Sequence, residues 1–191
     1  MPEQPFHELP QSNPTNSNRD QTLLNQKDSL STEHPEGQQN YEYWQREGDR
    51  LRIAKAYLEA IAAYELALLA KPTACYAWQQ RGEVLKRLHR YEEAIASYRK
   101  ALEVSANPIA RYQAWNGLGA LFFTIERYEE SIFAYKQALA LCPNSMGSPQ
   151  ILEMEGIAWS RLNRYLEARD CYDRAYHKAV EISDKTAKTN N

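Results

Sequence analysis

Apolar and polar residues alternate along residues 41–182 with the period of amphipathic helices, in paired segments joined by short polar turns. Each pair opens with a large apolar residue followed four residues later by glycine, and the four glycines are 34, 37 and 37 residues apart. No single pair could bury its apolar face alone, so this period predicts a stack of helical hairpins. We expect no strand in this region. The predicted helices span residues 41–54, 57–70, 75–88, 91–104, 108–125, 128–141, 149–162 and 165–181.

Small residues recur at fixed positions where the two helices of one hairpin must approach each other. Units counted from residues 41, 75, 112 and 149 all hold glycine at position 8 and tyrosine at position 24. Positions 20 and 27 hold alanine throughout, except for Ser131 in the third unit. Glycine costs a helix about 1 kcal/mol relative to alanine. Its presence at one place in four units therefore indicates close packing against the facing helix.

This pattern resembles the tetratricopeptide repeat, which runs W-x2-L-G-x2-Y, then A-x3-F, then A and P. The first unit carries the pattern as Trp44, Gly48, Ala60, Tyr64, Ala67 and Pro72. Four copies in register make the match specific, and it covers about residues 41–182. The resemblance implies an all-α fold, a right-handed α-solenoid of four tandem helix-turn-helix units. The units fall at about residues 41–74, 75–108, 112–145 and 149–182.

Two junctions between units depart from the regular spacing, and each carries three extra residues. Asn107-Pro108 and Ser148-Pro149 both predict a helix that starts with a side-chain cap and a first-turn proline. We expect these junctions to be tolerated loop insertions, and the alternative is a hinge or a contact loop.

The flanking segments differ in composition from the repeats. Residues 1–40 hold eleven Gln and Asn but few large apolar residues, among which Phe6 and the pair Leu23-Leu24 stand out. Such a segment cannot bury enough surface to offset its ordering entropy, so we expect a disordered Gln/Asn-rich tail. Residues 183–191 are expected to form a polar C-terminal tail. Because the chain has neither a signal segment nor 18 consecutive apolar residues, we expect a cytoplasmic protein without a membrane span.

Charge and potential reactive groups point away from several functions. The formal net charge is −2 over 191 residues, too small to favour nucleic acid or anionic lipid as a partner. Cys75, Cys142 and Cys171 lack the spacing of metal ligands or redox pairs, and we interpret them as thiols of a reducing compartment. We therefore expect a protein that is not an enzyme and that carries neither cofactor nor metal.

The resemblance places function on the concave face, lined by the first helix of each unit at positions 2, 5, 9, 12 and 13. It implies a peptide-binding groove of Gln45, Asp49, Arg52, Tyr76, Gln79, Glu83, Lys86, Gln113, Asn116, Phe123, Gln150, Glu153 and Arg161. The amides in this set could bond an extended peptide backbone through both donor and acceptor atoms. The alternative for each residue is an ordinary solvated helix face. We expect a scaffold or adaptor that binds a peptide or segment of another protein.

Two further features narrow the expected partners. The family's carboxylate clamp for chaperone tails needs Lys, Asn and Arg at five positions, none of which matches; these hold Gln45, Asp49, Gln80, Gln113 and Gly117. At the other end, Tyr176 and Val180 lie one turn apart on a last helix that no later helix covers. This stripe predicts contact with a partner, or with a second copy in a homo-oligomer. The alternative is that amphipathic side chains cover the surface themselves.

Overall fold

The structure is a computed structural model that describes residues 41–189, so the prediction of a disordered tail at 1–40 lies outside the described residues. Within this range α-helices joined by short turns and loops form the whole structure, with no strand, as predicted. The helices are α1 (Tyr41–Ile53), α2 (Tyr57–Ala70), α3 (Cys75–Arg87), α4 (Tyr91–Val104), α5 (Pro108–Thr124), α6 (Tyr128–Leu141), α7 (Ser148–Arg161) and α8 (Tyr165–Thr189). Apart from the end of α8, every bound agrees with the prediction to within one residue.

Each hairpin turns through the same backbone motif. The residue at position 15 has a positive φ of 58° to 62° in all four units, although none of the four is glycine. In the first turn the amide of Ala56 donates to the carbonyl of Leu51 at 2.9 Å, and that of Lys55 donates to Arg52 at 3.1 Å. Equivalent pairs of bonds close the other three turns. This is a Schellman motif, which satisfies the carbonyls at the end of the first helix and reverses the chain.

The glycines at position 8 let the second helix of each hairpin pack its tyrosine directly on the first helix. A Cβ built on Gly48 would lie 2.6 Å from the ring of Tyr64, and one on Gly156 would lie 2.7 Å from Tyr172. The small residues at positions 20 and 27 are buried in every unit. Where Ser131 replaces alanine, its hydroxyl donates to the carbonyl of Gly119 at 2.8 Å, so the buried oxygen is satisfied.

The two junction prolines start their helices differently. Asn107 caps α5 as predicted, because its side chain accepts from the amides of Ile109 at 2.8 Å and Ala110 at 3.4 Å. The equivalent prediction for Ser148 is wrong. Its hydroxyl donates instead to the carbonyl of Cys142 at 3.1 Å, and α7 begins at Ser148 without a side-chain cap. The longer loop before α7 takes up the hydroxyl that would otherwise have capped the helix.

The last helix is longer than the sequence predicted. We expected it to end near residue 181, with a polar tail after it, but α8 continues to Thr189. Its extension contains no glycine or proline, and Lys185 pairs with Glu181 one turn earlier at 2.7 Å, which supports a helix. A membrane span needs a helix that combines sufficient length with sufficient apolarity, and residues 41–189 contain none.

Candidate functional site

Asp49, a predicted groove residue of the first unit, is the centre of a hydrogen-bonded cluster. The hydroxyls of Tyr64 and Tyr76 both donate to its Oδ1, at 2.8 and 3.0 Å, and Arg52 lies 3.8 Å from the same atom. Burial, reinforced by Asp49, raises the pKa of Tyr64, and the same causes raise the pKa of Tyr76 to about 12. Both hydroxyls therefore remain donors at neutral pH, and they join α1, α2 and α3 at this carboxylate.

A second cluster of the same kind lies one unit further along. Glu83 is 2.6 Å from Lys86 and 3.1 Å from Arg87, and it accepts from the hydroxyl of Tyr98 at 3.3 Å. Burial, together with the negative charge of Glu83, raises the pKa of Tyr98. The carboxylates of the first two units are thus neutralised by cations on their own helix before any partner arrives.

At positions 9 and 12 the same face becomes less polar in the last two units. Ala120 and Ile157 occupy position 9, which holds an acid in the first two units. Phe123 occupies position 12 of the third unit, which holds a cation in the first two. Phe123 is half-buried and meets the ring of Tyr128 edge-on, with centroids 5.5 Å apart. The face formed by the first helix of each unit, the A helix, therefore divides into a half with internally paired charges at positions 9 and 12 and a half that is less polar at those positions.

Most of the predicted amides keep free donors and acceptors. Gln113 and Gln150 are exposed, while Gln45 and Asn116 are half-buried. None of the four side chains makes a hydrogen bond to another residue within 41–189. Each unit except the second contributes at least one of them. Glu153 and Arg161 are exposed on the same series of helices.

Gln79 does not belong with these free amides. It is buried, and its Nε2 donates to the carbonyl of Ala110 at 2.6 Å and to Cys75 Sγ at 3.3 Å. The side chain therefore joins α3 to the start of α5 and is not presented at the surface. The early start of α5 at Pro108 brings the carbonyl of Ala110 within reach of Gln79.

Sequence reasoning missed a buried carboxylate on α7, on the side of the helix away from the predicted groove residues. Glu155 is 1% exposed; its Oε1 accepts from Trp159 Nε1 at 3.3 Å and lies 3.8 Å from Lys136 Nζ, while Oε2 has no hydrogen-bond partner among the described residues. It borders two cavities of about 630 and 310 Å³. The sequence signal was an acid on the apolar stripe between Leu152 and Trp159.

The surroundings of Glu155 make the nearby thiol unreactive. Burial, with a further contribution from the Glu155 carboxylate, raises the pKa of Cys171 to about 12. Since the thiolate is the nucleophilic form, this cysteine is inert at neutral pH.

The second unit has a paired charge at the position equivalent to Glu155. There Arg81 donates to the carboxylate of Glu65 at 2.9 Å and to the hydroxyl of Ser97 at 2.7 Å.

Comparison with known proteins agrees with the helical-repeat fold described above. A family model described as tetratricopeptide repeat matches residues 72–144, which confirms the resemblance seen in the sequence. A comparison with curated proteins found no match.

Several solved structures share the fold. A crystal structure of MamA is similar with a TM-score of 0.70 and 18% identity, over 91% of this chain and 94% of that one. BtubC from P. vanneervenii has a TM-score of 0.67 and 19% identity, over 75% and 64%. The TPR2B domain of yeast Sti1, solved in a complex with pHsp70, has a TM-score of 0.59 and 19% identity, over 63% and 97%. At these identities the likeness concerns the fold alone.

Proposed function

We propose that this chain, a protein of tetratricopeptide repeats, is a non-enzymatic adaptor that binds an extended segment of another protein along the concave face of its A helices. One observation carries the proposal. The amides of Gln45, Gln113, Asn116 and Gln150 on that face are left without partners among the described residues, while Asp49 and Glu83 of the first two units are paired with cations on their own helices. An extended peptide backbone offers the alternating donors and acceptors that such amides can bond.

The paired charges also bear on the partner's composition. An acidic tail would have to separate Lys86 from Glu83, or Arg52 from Asp49, and exchange of one ion pair for another at a surface gains little free energy. The five clamp positions for an acidic chaperone tail hold no lysine, arginine or asparagine. We therefore propose a partner segment of low net charge, with an apolar side chain that packs near Phe123 in the less polar half.

Peptide arrays test this proposal even while the partner is unidentified. The full chain is applied to an array of uncharged and charged 15-residue peptides, and bound peptides are then titrated in solution. A variant with Asn116→Ala and Gln150→Ala should bind the selected peptides at least ~10-fold more weakly, since two hydrogen bonds of about 1 kcal/mol each are lost. Gln137→Ala removes an amide from α6, outside the groove, and should leave binding unchanged.

Equal binding by the groove variant and the Gln137 control would exclude this face as the binding site. Selection of strongly acidic peptides alone would contradict the proposed partner chemistry while leaving the groove in place. A self-associating module is the second candidate function, favoured by the uncovered C-terminal end of the array.

A further inference from the structure

The last unit leaves open a surface that is buried in the other three. The tyrosine at position 24 is at most 3% exposed in the first three units, as Tyr64, Tyr98 and Tyr135, but Tyr172 is 40% exposed. Position 28 is buried in the first unit, where Leu68 is 7% exposed, and half-buried in the next two, whereas Tyr176 is 68% exposed. We call Tyr172, Tyr176 and Val180 of α8 the terminal face.

In the first three units the following A helix covers this surface with a constant set of residues. Positions 3 and 10 of that helix are buried and aliphatic in each case, and position 6 is uncharged. The three sets are Ala77, Gln80 and Val84; Ala114, Gly117 and Leu121; and Ile151, Met154 and Ala158. A Cβ built on Gly117 would lie 2.5 Å from the ring of Tyr98, which shows how closely this helix face and the tyrosine approach. We call positions 3, 6 and 10 the leading face.

The first helix of the array cannot supply a leading face to a second copy. Its residues at positions 3, 6 and 10 are Tyr43, Arg46 and Arg50, and both arginines are exposed. Stacking α1 on the terminal face would bury the Arg46 guanidinium and the Arg50–Glu47 ion pair against tyrosine and valine side chains, and removing these charges from water is costly. Direct end-to-end stacking of two arrays is therefore disfavoured.

A leading-face sequence does occur before the array. Leu23, Gln26 and Leu30 have the spacing of positions 3, 6 and 10, and Leu24 then falls at position 4, where the array has Trp or Leu. Position 8 would be Asp28 in place of glycine. Glycine is needed at position 8 only where a second helix of the same hairpin packs. Pro35 and Gly37 disfavour such a second helix in the sequence that follows, so this segment does not need the glycine. The segment matches an A helix that lacks its own B helix.

We propose that residues 20–31 of one copy dock as an additional A helix on the terminal face of a second copy. Nine residues, 32–40, join this segment to α1 and span at most about 32 Å. Four units stacked at one helix diameter each are about 40 Å deep. The segment therefore falls short of its own terminal face and reaches that of another molecule. This association is independent of the proposed groove and leaves it open.

Complementing variants of the full chain test the proposal in sedimentation equilibrium. Variant N carries Leu23→Asp and Leu30→Asp, and variant C carries Tyr176→Lys and Val180→Lys. The parent should associate as its concentration rises, and each variant alone should remain monomeric. A mixture of N and C should form a 1:1 dimer of twice the monomer mass, because N keeps the terminal face and C keeps the segment. Asn25→Asp with Ser29→Asp adds the same charge beside the leading-face set and should associate like the parent.

Several results would overturn the proposal. If the parent chain stays monomeric at high micromolar concentration, the terminal face does not bind a second copy, and only a different protein could cover it. Association of variant N at the parent's strength points to a contact of α8 with α8. If N and C fail to combine while both keep the parent's helical circular dichroism, the segment and the face do not meet. A lower melting temperature for N than for the parent, both as monomers, would indicate docking within one chain.

Discussion

The ring of Tyr135 packs so closely on Gly119 that a Cβ added to the glycine would lie 2.6 Å from Cδ1 of the ring. Tyr135 is 1% exposed and cannot move outward without opening the interface with the next unit. The contact explains why the repeat keeps a residue that weakens helices. The helix propensity lost at glycine is smaller than the strain that any side chain would introduce.

Gly119→Ala should therefore destabilise the chain although alanine is the better helix former. We expect a net loss of about 1–3 kcal/mol in the free energy of unfolding, measured by urea denaturation. Gly82 is the matched site, because a Cβ there would lie 3.1 Å from Tyr98, close enough to need only a small shift. Gly82→Ala should cost less than Gly119→Ala, whereas Gly82→Leu should be severely destabilising. Equal effects of the two alanine substitutions would contradict the geometric explanation.

In the turns of the hairpins, by contrast, introducing a glycine should stabilise the chain. Glu126 and Asn163 occupy the same left-handed position, with φ of 62° and 59°. This conformation costs a side chain such as glutamate about 1–2 kcal/mol, whereas asparagine tolerates it. Glu126→Gly should stabilise the chain by about 0.5–1 kcal/mol, because the strain relieved exceeds the added flexibility of the unfolded chain.

Asn163→Gly is the control for this prediction and should be close to neutral. Thermal and urea denaturation of both variants provide the measurement. If Glu126→Gly were destabilising, its side chain would have to make a contact worth more than the backbone strain.

The fold was predictable because its determinants are local and repeated. Gly48 and Tyr64 recur at fixed spacing, so the sequence reveals the close contact without coordinates. Ser148 shows where this stops: Asn107-Pro108 and Ser148-Pro149 look alike in the sequence, but only the first caps its helix. The difference arises from the carbonyl of Cys142, whose position depends on the path of the intervening loop.

The candidate site was predictable only as a set of positions. Family positions placed Asp49 and Tyr76 on one face, but the hydrogen bond between them comes from the packing of adjacent units. Gln79 occupies a groove position in the sequence, yet the early start of α5 draws its amide inward. Side-chain partners across units depend on junction lengths, and the repeat pattern does not encode those partners.

Buried tyrosines make stability depend on pH in the alkaline range. Burial raises the pKa of Tyr135 to about 12, above the unfolded value of about 10. The unfolded chain therefore loses the proton first. The stability contributed by neutral Tyr135 is complete below pH 10 and is lost as the pH rises from about 10 to about 12. The loss amounts to about 2 kcal/mol across that window.

Tyr135→Phe should flatten part of this dependence because the ring packing remains and the ionisable hydroxyl is gone. Urea denaturation between pH 8 and pH 11.5, in steps of about half a unit, gives the slope for parent and variant. The other buried tyrosines should preserve some slope in the variant. Identical slopes would mean that Tyr135 ionises equally well in the folded and unfolded chain.

The position of Glu155 predicts that removing a charge will strengthen the fold. A buried ion pair contributes stability only when its geometry is good and its remaining lone pairs are bonded. Here Lys136 is 3.8 Å away, Oε2 accepts no hydrogen bond among residues 41–189, and the neighbouring Cys171 thiol is only a weak donor. The third unit has Leu118 at the same position, 2% exposed, so this place in the repeat accommodates an apolar side chain.

Glu155→Leu should therefore raise the free energy of unfolding by about 1–3 kcal/mol. Arg81→Leu at the equivalent position of the second unit is the matched control and should do the reverse. Arg81 donates to Glu65 and to the buried Ser97 at 2.9 and 2.7 Å, so its removal takes away two charge-assisted hydrogen bonds, at a cost of about 1–3 kcal/mol. Opposite signs in urea denaturation would show that the bonding of the buried charge, and not its presence, decides its effect. A destabilising Glu155→Leu would instead show that Lys136 and Trp159 bind the carboxylate more strongly than these distances indicate.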